Sequence, residues 1–255
     1  MNPSGGLFWH WHAWRHQAQW SATCADIAQW LGQMPPAKDA ASELVIVGAS
    51  AGWMMPSAWL QSFASVTTFD LDRWAAPLFG LRHGAALRAS NTALQCNTAD
   101  ALTDLDAVLQ AHPRALVLFD NVLGQLRFHT PSVDEASRRI ETITTRMHGR
   151  RWGSVHDAFS GRTQRRASNA SAPAMQRSVQ APAPASATPS QPAHNATRPV
   201  ALGRFSRQLH AQGEWLDHLT ERVFPANTAV RDIAWAFSPR YWHWLQAGWV
   251  QPAQR

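Results

Sequence analysis

Two cysteines and a single lysine stand out as scarcities in this 255-residue sequence. Cys24 and Cys96 lie far apart with no C-x-x-C spacing. That excludes a disulfide framework and a cysteine zinc site, and fits a reducing, cytoplasmic setting. No apolar run approaches the ~18 to 20 residues that a membrane-crossing helix needs, so no membrane association is expected. Residues 1–6 lack a basic segment followed by an apolar one, so no secretory signal is expected. Lys38 is the one lysine among 23 basic residues, a bias of coding composition more than of function.

Apolar residues make up 45% of the chain, enough for a substantial core. The net charge of +6 invites a nucleic-acid reading, but its location argues against one. Residues 150–207 hold nine arginines and one acid, a net of +8, which leaves 14 basic and 16 acidic residues elsewhere. The excess belongs to one arginine-rich segment, and a small-molecule substrate is favoured over nucleic acid. Tryptophans crowd the two ends, with Trp9, Trp11, Trp14, Trp20 and Trp30 at one, and Trp235, Trp242, Trp244 and Trp249 at the other.

Along the chain, residues 7–33 show helical spacing, with a break expected near Ser21. They form an N-terminal helical extension over 1–39. His12 and His16 are four apart but lack a third ligand, so no metal site is expected. Residues 43–48 read as a buried strand and 48–52 as a turn. Helix is expected over 54–63 and strand over 66–69, ending at Asp70. Helix follows over 73–83, with a weak strand at 93–96. Helix then covers 104–111 and strand 115–119, ending at Asp120-Asn121. Helix 132–148 opens on a Ser132/Glu135 capping box, and a strand covers 152–155. Strands alternating with helices imply a parallel α/β sheet covered on both faces, so 40–160 is the first part of an α/β domain. Residues 161–200 are rich in Ala, Pro, Ser and Arg and read as a disordered insert. Residues 201–255 complete the domain, with a helix over 203–224 and a hairpin of 230–237 and 241–250 around Ser238-Pro239-Arg240.

Ligands of such sheets lie beyond the carboxyl ends of the strands. Here those ends carry Gly48, Asp70, Asp100, Asp120 and Asp157. This order of motifs resembles the class I, Rossmann-like, S-adenosylmethionine-dependent methyltransferases. Their sheet has seven strands, of which the last two form an antiparallel hairpin. The resemblance implies S-adenosylmethionine as cofactor. It would be held by the turn Gly48-Ala49-Ser50-Ala51-Gly52, by Asp70 on the ribose, and by Asp100 and Ala101 at the adenine. Asp120 and Asn121 would lie beside the reactive methyl group. The methyl acceptor and the oligomeric state are left open. Two positions depart from the family pattern: Ser50 replaces the middle glycine of the turn, and the bulky Trp53-Met54-Met55-Pro56 follows it.

Rival readings use the same residues. Gly48-Ala-Ser50-Ala-Gly52 also fits G-x-S-x-G, the turn of a hydrolase nucleophile, with Asp120 and His156 following in triad order. The dinucleotide pattern G-x-G-x-x-G fails at Ser50 and Trp53. A methyltransferase-shaped binding module without catalysis is a third alternative. Asp100 could simply cap the next helix. Asp72 is expected to be solvated beside Arg73, and His129 and His156 are candidate bases or ordinary polar residues. Tryptophan-rich ends folded over the strand ends would wall the site.

Overall fold

The computed structural model of the protein describes residues 5–34, 42–163, 175–178 and 211–252. Strands β1 (Glu43–Val47), β2 (Ser65–Asp70), β3 (Ala93–Thr98), β4 (Leu116–Asp120) and β5 (Trp152–Thr163) run parallel in the order β3-β2-β1-β4-β5. Two further strands enter this sheet from the end of the chain. β9 (Tyr241–Val250) lies antiparallel to β5, and β8 (Ala229–Ser238) lies antiparallel to β9. These seven strands, five parallel and closed by an antiparallel hairpin as the sequence implies, form the body of a nine-stranded sheet. A short strand, β6 (Met175–Ser178), extends the far edge beside β8.

Side-chain alternation divides the core in two. In β1, Leu44 and Ile46 face one layer and Val45 and Val47 the other, which is why the strand is apolar from Leu44 onward. The first layer holds α1 (Gly6–Leu31), α2 (Ser57–Leu60) and α3 (Ala75–Ala89). The second holds α4 (Leu105–Ala111), α5 (Val122–His129) and α6 (Val133–Arg146). The amphipathic α6 opens as its sequence implies, with Ser132 accepting the Glu135 amide hydrogen at 3.2 Å.

The elements differ from expectation in five places. α1 is unbroken through Ser21, because Trp20, Thr23 and Ile27 keep one face buried against β8. α2 spans only Ser57–Leu60, since Pro56 precedes it and fixes an extended backbone at the cap. α5, unforeseen, follows directly on the left-handed Asn121. β5 runs eight residues past the expected 155, so 161–163 belong to the sheet rather than to an insert, as does β6 within it. The remainder of the 161–200 insert lies outside the described residues. Over 211–217 the expected helix is instead β7 (Ala211–Asp217), antiparallel to the far end of β5; residues 203–210 are not described. The apolar spacing at Leu216 and Leu219 misled because the demand for a strand partner beyond the end of β4 outweighs local periodicity.

Candidate functional site

The turn after β1 is built by close packing. Gly48 has φ +80°, and a side chain there would meet the Asp120 carbonyl oxygen and the Val122 Cβ at 2.8 Å. Gly52 has φ +62°, and a side chain would lie 2.5 Å from His83 Nε2. Glycine at these positions lets the turn nest between the ends of β4 and α3. Ser50 sits between them at φ 48°, left-handed despite its side chain.

Asp70, at the end of β2, holds this turn. Its Oδ2 accepts the Ser50 amide hydrogen at 2.7 Å and its Oδ1 that of Asp72 at 2.8 Å. Burial pushes its pKa up, against the pull of those two amides. Each oxygen keeps a lone pair for another donor. Asp120, at the end of β4, is half-buried, and among the described residues no hydrogen bond to its carboxyl is found. Its pKa is pushed up to about 7, first by burial and then by the negative charge of Asp70. Gly48, Ser50, Asp70 and Asp120 thus share one corner of the sheet, where two carboxyls repel each other across a tight turn.

The other expected residues behave differently. Asp100 closes its own turn: Oδ1 accepts the Leu102 and Thr103 amides, each at 3.1 Å, and Oδ2 the Thr103 hydroxyl at 2.7 Å. Burial opposes its ionisation, but these bonds and Arg139 outweigh it and lower the pKa. Ala101 is buried in the second core layer. Asn121, left-handed at φ 55°, turns away from Asp120 and clamps β5. Its side-chain amide donates to Asp157 Oδ2 at 3.0 Å, and its carbonyl accepts the Asp157 amide hydrogen at 2.8 Å.

Asp72 corrects the sequence reading. Rather than being solvated beside Arg73, its side chain is only 12% exposed. It accepts the Gly6 amide at 2.5 Å and the His10 Nε2 hydrogen at 3.1 Å, and so caps the start of α1 with a negative charge. His10 in turn accepts the Trp53 indole hydrogen at 3.1 Å. Trp9 donates its indole hydrogen to Ser50 Oγ at 3.1 Å and stacks on Phe237 at 5.9 Å and 6°. The tryptophan-rich start of the chain therefore does fold over the strand ends. At its other end α1 meets the last strand, where Trp30 stacks on Trp249 at 4.6 Å.

The hydrolase triad is not assembled. Ser50 Oγ accepts from Trp9, while His156 is fully buried and its Nδ1 lies 2.8 Å from Ser154 Oγ. His12 and His16 stack at 4.0 Å, and His16 Nδ1 donates to the His12 carbonyl.

Sequence reading missed a second polar group beside Asn121. Asp157 is fully buried in β5 and receives hydrogens from Asn121, from Gln125 at 3.1 Å and from His243 Nδ1 at 2.7 Å. Burial opposes its ionisation, but the His243 charge and hydrogen bond outweigh it and hold the carboxyl at about 2. His218, just past β7, has its pKa lowered chiefly by burial. Asp157, His218 and His243 are separated by 61 and 25 residues, so only strand pairing reveals their meeting. Of the three, only Asp157 was singled out from the sequence, as the end of a strand over 152–155; β5 instead runs on to Thr163 and carries Asp157 in its middle, because β9 and β7 pair with that overhang.

No family profile matches the chain, and no curated protein is similar to it. One solved structure, of a proposed type II methyltransferase from Anaeromyxobacter dehalogenans, aligns over 89% of this chain and 96% of its own. The identity is 13% and the TM-score 0.30. Among the described residues no helix is long and apolar enough to cross a membrane.

Proposed function

We propose that the protein binds S-adenosylmethionine at the corner formed by Gly48, Ser50, Gly52, Asp70 and Asp120, and acts as a methyltransferase on a small molecule. The observation that carries this reading is the placing of Asp70 and Asp120 together beside the glycine turn, where burial raises both carboxyls and the charge of Asp70 raises Asp120 further. Two carboxyls that disfavour each other's charge favour a cationic ligand, which relieves both the repulsion and the cost of burial. S-adenosylmethionine carries a sulfonium and an amino group, and when bound it would supply the activated methyl. The order of these residues along the parallel strands β1 to β5 supports the same reading. Asp70 would offer its remaining lone pairs to the ribose hydroxyls, and Asp120 would face the charged end.

Asp100 and Asn121 fit the family's roles less closely, because their side chains are engaged locally. Asn121 would act by fixing the end of β4. The aromatic surface of Trp9 and Phe237, next to Ser50, fits a planar or apolar acceptor.

The test separates this reading from a serine hydrolase. Asp70→Ala is expected to weaken S-adenosylmethionine binding by about 1 to 3 kcal/mol, the usual cost of losing charge-assisted hydrogen bonds. Ser50→Ala should keep most of that affinity, and the wild-type chain should not react with a fluorophosphonate. Stoichiometric labelling that disappears in Ser50→Ala, with no cofactor bound, would overturn the proposal.

A further inference from the structure

We infer that Asp157, His218 and His243 form a binding site for a borderline divalent metal ion of the zinc class. One donor atom from each residue lies within 4.8 Å of the other two. Two imidazoles and one carboxylate are the donor set that suits such ions, whereas magnesium and calcium prefer oxygen alone.

Each residue is supplied by a different part of the sheet. Asp157 lies in β5, His218 directly follows Asp217, which pairs with Phe159, and His243 pairs with Ser160. Strand pairing therefore sets the three positions before any ion arrives. The surroundings orient the donors as they do around metals. His218 donates Nδ1–H to the Gly124 carbonyl at 2.8 Å, which fixes its tautomer and leaves the Nε2 lone pair available. Asn121 and Gln125 both donate to Asp157 Oδ2, leaving Oδ1 directed at His243.

Without an ion the same groups close on themselves. His243 Nδ1 donates to Asp157 Oδ1, and His218 Nε2 lies 2.9 Å from Ser160 Oγ, which is 3.1 Å from the Tyr241 hydroxyl. Metal binding exchanges these bonds for coordination. It releases the proton between His243 and Asp157 and sets the donors roughly 3.3 Å from one another, widening the 2.7 Å His243–Asp157 pair, as tetrahedral bonds of about 2.0 to 2.1 Å require. His218 is 1% exposed and Asp157 0%, but His243 keeps 13%, an opening on the side of β9. Three protein ligands leave a fourth position there for water or a substrate oxygen.

The site owes nothing to the cofactor reading, and its test needs no substrate. Full-length protein stripped with a chelator is dialysed against zinc(II), with magnesium(II) as the control, and against cobalt(II) for its visible spectrum. The expected result is one zinc per chain, no magnesium, and a tetrahedral cobalt spectrum. His243→Ala, at the most exposed ligand, and Asp157→Asn should each lower zinc affinity at least tenfold. A His12→Ala/His16→Ala double variant should bind zinc as the wild type does. The proposal is overturned if the wild type takes up no zinc, or if zinc binding survives His243→Ala but is lost from the His12/His16 variant. Should Asp157→Asn fail to fold, the wild-type cobalt spectrum and His243→Ala decide the matter.

Discussion

Asp120 is the residue on which the chemistry of the proposed site would turn. Its carboxyl titrates near 7 in the fold, against about 4 in an unfolded chain. The folded state therefore keeps a proton that the unfolded state has lost, and stability falls as pH rises from about 4 to about 7. Asp120→Asn removes that dependence. The variant should match the wild type at pH 4.5 and exceed it at pH 8, by on the order of 2 kcal/mol after allowing for partial exposure. Melting curves at the two pH values check this. An advantage independent of pH would show that Asp120 is ionised in the fold throughout. Gly52 makes a second residue-scale case. Gly52→Ala places a Cβ 2.5 Å from His83 Nε2 at φ +62°, and should lower stability by about 2 to 4 kcal/mol as measured in urea.

At the scale of elements, α1 deserves to be read as part of the site's wall rather than as an appendage. Trp9 reaches Ser50, and His10 links Asp72 to Trp53. His10→Ala leaves a buried carboxylate short of a donor and the Trp53 indole short of an acceptor. A loss of about 1 to 3 kcal/mol is expected, or several degrees in Tm. An unchanged Tm would mean that α1 only rests on the sheet. Most elements were legible beforehand because β1 and β4 are continuous apolar runs and because the Ser132 cap has a local signature. β7 was not, since its partner is the overhang of β5, and nothing local signals an overhang. For the same reason Asp70 and Asp120 could be chosen from strand ends, whereas His218 and His243 could not. Asp72 was misjudged because its partners, Gly6 and His10, lie more than 60 residues away.

Among the described residues one nine-stranded sheet carries the helices, and α1 is tied to its last strand by Trp30 stacked on Trp249. The arginine excess of residues 150–207 lies largely outside the described residues. Residues 180–198 have few apolar side chains, and their removal should shift Tm by no more than about 2 °C, because closure entropy changes slowly with loop length. A larger cut that also takes Met175–Ser178 removes the edge strand on β8 and should cost more. Equal losses from the two deletions would contradict the expectation that residues 180–198 contribute little to stability. The most direct measurement of the central claim is calorimetric titration of the 255-residue chain with S-adenosylmethionine at pH 8. Saturable binding at one site per chain is predicted, weakened at least tenfold in Asp120→Asn. An absence of heat at millimolar ligand with folded protein, or an affinity that Asp70→Ala and Asp120→Asn both leave unchanged, would contradict it.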